Sequence, residues 1–160
     1  MVVCALWSVT LARLCPMTAN HQTPQGSPSA RQLATAYGVA LVVMGVLDAL
    51  WLGVVASGFY AAQMGALMAD SIRLVPALLF YLLYPVAIVG LALVPVPATR
   101  RIATLRSAAL GLTAYGVYDL SNLATLRGWS LPLTLVDIVW GTLATCVAGT
   151  LAYRWALGKR

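Results

Sequence analysis

Three carboxylic acids sit where carboxylic acids are costly. Asp48, Asp119 and Asp137 each interrupt a long apolar run, and Asp70 is the chain's fourth acid. An aspartate at the middle of a membrane helix costs about 2.5–3.5 kcal/mol. Three of them must therefore be paired, solvated or put to use. Carboxyl groups gathered at one depth can take up a proton, hold a small cation or an amine, or serve as general acid and base. Desolvated, crowded carboxyls do not all ionise, so at least one is expected to carry a proton near neutral pH.

Their neighbours follow a pattern. Asp48-Ala-Leu-Trp51 and Asp137-Ile-Val-Trp140 repeat D-x-x-W, and Asp119-Leu-Ser-Asn122 is a D-x-x-N variant. Residues three apart share a helix face, so each acid is expected to carry a hydrogen-bonding companion on its own helix. Gly45-Val-Leu-Asp48 and Gly116-Val-Tyr-Asp119 match as G-V-x-D, a short hint of duplication. Tyr81 and Tyr84, from another apolar run, reach a similar depth and close the ring.

The elements that carry these residues follow from composition. The 160-residue chain is 61% hydrophobic and 9% charged, against about 25% charged in ordinary globular proteins. So little polar surface cannot cover a soluble core, and the chain reads as an integral membrane protein. A hydrocarbon layer of about 30 Å needs about 20 helical residues, and four segments provide them: about 33–56, 74–94, 105–126 and 131–155. Backbone groups in lipid must be paired within the segment, so the spans are helices. The expected fold is all-α, an integral membrane four-helix bundle over residues 33–156. Residues 1–32 read as a disordered or mis-started tail, with Met1 and Met17 both open as the start, and 157–160 as a basic tail.

"LVPVPATRR" ends the second helix, because Pro95 and Pro97 cannot continue it. Arg127-Gly128-Trp129-Ser130 is short enough to make the third and fourth helices antiparallel neighbours. Between the first two spans, Tyr60, Met64, Leu67, Met68 and Ser71 recur at helical spacing, which predicts a short interfacial helix. A plain loop is the other reading.

The net charge of +6 is a topology signal here and not a nucleic-acid footprint. Arg13, Arg31, Arg100, Arg101, Arg106, Arg154, Lys159 and Arg160 fall on one side of the four-helix layout, Arg73 and Arg127 on the other. The positive-inside rule places both termini in the cytoplasm. The three aspartates then lie roughly 9–12 Å below the outer boundary. Gly45, Ala49 and Gly53 form one small-residue ridge, and Gly141, Thr145 and Gly149 another, which lets helix backbones approach closely.

Cys4, Cys15 and Cys146 have neither disulfide nor metal spacing. His21 stands alone in the polar tail. No metal or cofactor is predicted, no catalytic residue can be named, and the expected partners are the lipid bilayer and a second copy or another membrane protein. Three functions fit, in this order: binding or transport of a proton, small cation or small ligand at an acidic site open toward the periplasm; non-catalytic assembly with another membrane protein; a membrane-embedded enzyme of lipid modification. The aspartates also fit a purely structural role, hydrogen-bonded to Asn122, the tyrosines or the indoles, or neutralised by Arg73 or Arg127.

"MGVLDALWLG", "YDLSNLATLRGW" and "LVDIVWGT" resemble recurrent segments of a family of small bacterial multi-pass membrane proteins known only as a domain of unknown function. The resemblance spans about Leu33 to Tyr153. It implies a bacterial inner-membrane location and no particular substrate.

Overall fold

Ser29 starts the first helix. Its side chain accepts from the Gln32 backbone N–H at 3.3 Å, and the Gln32 side chain accepts in return from the Ser29 N–H at 3.0 Å. This reciprocal cap satisfies two of the donors that a helix start leaves unpaired. Helix α1 runs Ala30–Leu50 and continues as a π-helical turn, Trp51–Val55. The cap places the start at Ala30, so residues 30–32, expected in the tail, belong to the helix. The computed structural model describes residues 27–69 and 71–158. Residues 1–26 of the expected N-terminal tail, with both candidate starts, Cys4, Cys15 and His21, and also Asp70, Lys159 and Arg160, lie outside the described residues.

A short helix, α2, occupies Ser57–Met64 and passes into a 3-10 turn, Gly65–Leu67. Gly65 has φ +49°, a conformation open to glycine at little cost. That turn ends the helix, so Met68 and Ser71 do not extend its face. Helix α3 runs Leu74–Ala87 and continues as a π-helical stretch, Ile88–Leu93. Helix α4 spans Arg100–Thr125. Thr99 accepts from the Ile102 N–H at 3.3 Å, which sets the start five residues ahead of the expected boundary. Helix α5 spans Leu131–Ala152, capped by Ser130, and a π-helical turn, Tyr153–Leu157, carries it into the expected basic tail.

All these elements are helical. Ala30–Val55, Leu74–Leu93 and Leu131–Leu157 are long and apolar enough to cross a membrane. Helix α4 has the length but not the apolarity. Arg100, Arg101, Arg106, Asp119 and Asn122 lie along it, and Ser107, Gly111 and Asp119 recur at multiples of four on its buried face.

Helix α5 is the centre of the arrangement, with α4 packed on one side and α1 on the other. The α4–α5 seam is close. A Cβ at Gly111 would lie 2.8 Å from the Gly141 carbonyl oxygen and from Thr145 Cβ; one at Gly141 would enter the Tyr115 ring, and one at Gly149 would strike Ser107. The Gly141–Thr145–Gly149 ridge thus seats α4. The other predicted ridge differs, because a Cβ at Gly45 or Gly53 would meet nothing within 4 Å, and Ala49 is exposed. That ridge faces away from the aspartate side of α1, where Asp48 is buried.

Helix α3 completes the ring unevenly. It lies along α1, but it packs on α4 and α5 mainly through Ile88–Leu93. Toward its Leu74 end α3 and α4 part. The outward faces of the helices are apolar, with Val54, Leu83, Leu91 and Val139 among many exposed aliphatic side chains.

Candidate functional site

The gap between α3 and α4 leads to the aspartates. Asp48 comes from the last turn of α1, Asp119 from the last two turns of α4 and Asp137 from the second turn of α5. Asp48 is 4% exposed and Asp119 fully buried, while Asp137 is half-buried. The helices place them at one end of the ring.

Their hydrogen bonds cross between elements. Trp140 Nε1 donates to Asp48 Oδ1 at 3.1 Å, from α5 to α1. Trp51 Nε1 donates to the Tyr60 hydroxyl at 3.3 Å, and Tyr60 donates to Asp137 Oδ1. Between these two relays the indoles of Trp51 and Trp140 stack, with centroids 4.3 Å apart and planes at 6°. Each D-x-x-W tryptophan therefore serves the acid of the other helix. The same-helix pairing expected from spacing is replaced, because both indoles turn into the stack.

Asp119 has a different environment. Both its carboxyl oxygens are buried with no hydrogen-bond donor among the described residues. Its carboxyl group faces that of Asp137 at hydrogen-bonding range. Among the described residues no arginine acts on any of the three, and the charged neighbour of both Asp119 and Asp48 is Asp137. An unpaired acid held against another acid is costly.

Of the remaining predicted residues, Tyr81 stands beside the Asp48 carboxyl. Tyr84 lies deeper. Thr145 Oγ1 donates to the Gly141 carbonyl at 2.6 Å, so the 2.8 Å contact between Tyr84 and Thr145 is donated by the tyrosine. Asn122 is half-buried one turn beyond Asp119, and its side chain forms no hydrogen bond among the described residues.

Two adjoining cavities open off the cluster. One, of about 360 Å³, is bounded by Asp48, Asp137, Trp140, Tyr60, Tyr81 and Tyr115. The other, of about 600 Å³, lies between Pro76, Phe80 and Tyr84 of α3 and Ala114, Tyr115 and Tyr118 of α4, with Asp137 at its inner wall. Phe80, Tyr115, Tyr118 and Asp137 are common to both. Helix α2 covers the cluster, held by Tyr60 to Asp137 and by Gln63, which accepts from Ser130 Oγ at 2.5 Å. Burial, reinforced by the adjoining Asp137 carboxylate, pushes the Tyr60 hydroxyl pKa up, so the group remains a donor well into alkaline solution. No three of the described His, Cys, Asp or Glu residues converge as metal ligands.

Sequence reasoning missed Tyr60, Phe80, Tyr115 and Tyr118 as site residues. Tyr115 carried a signal: it stands one turn before Asp119 on the same face. Tyr60 had none that pointed to Asp137, since its role depends on a fold-back across seventy-seven positions.

Residues 33–154 match the family model described as predicted membrane protein, DUF2177. Neither a curated protein nor a solved structure matches the chain. The chain belongs to this family of helical membrane proteins of unknown function, and its apolar helices contact the lipid bilayer.

Proposed function

For this member of the family we propose a four-helix domain over residues 33–156 of the bacterial inner membrane, with both termini cytoplasmic. Its acidic site faces the periplasmic side and binds a proton and a small cation or small ligand. Helix α4 is the fourth crossing. Its exposed Leu105, Leu112, Val117 and Leu120 give it an apolar outer face, and its arginines gather at the end assigned to the cytoplasm. Asp48, Asp119 and Asp137 are the charged groups of the site. Trp51, Trp140, Tyr81 and Tyr84 form its walls, and Asn122 borders it.

One observation carries this reading. Asp119 is fully buried, has no donor among the described residues, and faces Asp137, which itself lines an open cavity. A carboxyl that served only as glue would have a donor, as Asp48 does in Trp140. Two carboxyls in contact cannot both be ionised, so one proton bridges them. A cation entering the cavity displaces that proton, which couples ligand binding to proton release.

Infrared difference spectroscopy of the protein in lipid tests the proposal. The carbonyl stretch of a protonated carboxyl is expected at neutral pH and disappears in the Asp119→Asn, Asp137→Asn double variant. A wild-type spectrum with no titrating carboxyl near neutrality defeats it.

A second reading, assembly with a second copy or another membrane protein, draws on the outward Gly45–Ala49–Gly53 ridge. No neighbour covers it among the described residues, and small residues of this spacing seat partner helices in lipid.

A further inference from the structure

We infer that the ligand of this site is an organic ammonium ion with an apolar body, and that it enters sideways from the bilayer between α3 and α4. This deepens the proposed function and rests on it for the acidic floor. Four features converge on the inference.

The walls are aromatic. Phe80, Tyr81, Tyr115 and Trp140 line the smaller cavity together with Asp48 and Asp137. Aromatic faces attract a cation through their quadrupole, most strongly where water is excluded, and the carboxyls supply the counter-charge. A small inorganic cation prefers a cage of oxygen ligands. Rings around two separated acids suit a larger, weakly hydrated cation.

The volumes agree with such a ligand. The smaller cavity, of about 360 Å³, is of the size that encloses small organic molecules, about 300–1,000 Å³. A proton or a bare metal ion has no use for that space.

The way in is lateral. The larger cavity lies between α3 and α4, and Phe80 and Tyr118, which line both cavities, are 38% and 55% exposed on the apolar flank of the helix ring. Helix α2 lies over the cluster through Tyr60 and Gln63, so the flank between α3 and α4 is the side it leaves uncovered. A molecule dissolved in the bilayer meets the gap directly.

The floor is unsatisfied. Apart from the proton it shares with Asp137, buried Asp119 meets no donor among the described residues, and it lies behind Asp137, which lines both cavities. An ammonium placed at Asp137 supplies the positive charge that the described residues do not.

Benzyltrimethylammonium and its uncharged isostere neopentylbenzene are the probes. Binding to the protein in lipid nanodiscs is measured by calorimetry, with infrared detection of the bridging proton on the same samples. The expected result is saturable binding of the cation at least about tenfold tighter than that of the isostere, with proton release on binding. Ala114→Trp, which plugs the larger cavity between α3 and α4, abolishes or slows cation binding while the carboxyl signal persists. Phe80→Leu, which removes a ring without plugging the gap, weakens the cation about fivefold and leaves the isostere unchanged. Equal binding of the two probes, or full binding to Ala114→Trp, overturns the inference. A wild-type protein whose carboxyl signal is present but which binds no cation also overturns it, and leaves the acidic site standing. Loss of the carboxyl signal itself would instead strike at the proposed function.

Discussion

The two ends of the helix ring treat polar groups in opposite ways. Along the α4–α5 seam the buried hydroxyls of Ser107, Thr145 and Thr150 are all used. Ser107 donates to the Ala103 carbonyl at 2.8 Å and Thr145 to Gly141. Thr104 donates to Arg100 at 2.9 Å, which leaves Thr150 to donate to Thr104. Glycines bring the two backbones together. At the Asp119–Asp137 end the polar groups are stronger and less satisfied, and two cavities adjoin them. The seam is built like a structural core. The aspartate end keeps an acid with no donor among the described residues behind one that lines two cavities, the arrangement expected of a site whose requirements are met by something it binds.

Substitutions can break this contrast, and the largest effect is expected on the closed side. Gly141→Val puts a branched side chain into the Tyr115 ring and should destabilise by about 3 kcal/mol, as overpacking does; thermal unfolding in detergent reads it. A mild effect there would mean that the seam yields.

Tyr60→Phe comes next. It removes the donor to Asp137 and the acceptor for Trp51, for a loss of about 1.5–2 kcal/mol. The pH dependence has a definite sign. Because the folded protein holds the Tyr60 pKa above its ordinary value of 10.0, its contribution is full below that pH and is lost as pH rises through the raised value. The alkaline decline in stability should shrink in Tyr60→Phe.

Asp119→Asn has the opposite direction. The amide donates to Asp137 and removes a buried acid, so stability should rise by about 1 kcal/mol while ligand-linked proton release falls. A stability loss would show that Asp119 has a donor after all, and the contrast between the two ends would collapse. Smallest is Thr150→Val, about 0.5–1 kcal/mol for one partly exposed hydroxyl pair.

Much of the architecture could be read from the sequence because lipid leaves the chain few alternatives. Residue runs of sufficient length and apolarity had to be helices, and the Pro95–Pro97 segment and the Arg127–Ser130 turn had to separate them. The helix starts were harder: Ser29 and Thr99 act through single side-chain bonds that hydropathy does not register. The aspartates stood out by cost alone, whereas their partners did not. Spacing paired Asp48 with Trp51 and Asp137 with Trp140, yet Trp140 donates to Asp48 and Trp51 reaches Asp137 through Tyr60, with the two indoles stacked between, a contact across helices that spacing does not register. The small-residue ridges looked alike, but only the one on α5 meets a helix. Which ridge is covered depends on helix rotation, a property set by packing and not by spacing.

The uneven attachment of α3 has a mechanical consequence. Its grip on α4 and α5 is concentrated at Ile88–Leu93, just past Pro85, which lacks the N–H that would stiffen that turn. Pro76 stands at the other end of the helix, roughly 18 Å away at 1.5 Å per residue. Over such a lever arm, a tilt of about 10° at the anchored end sweeps the far end through roughly 3 Å. A modest rocking of one helix, with every seam contact between α4 and α5 intact, is enough to change the width of the doorway by the thickness of an aromatic ring.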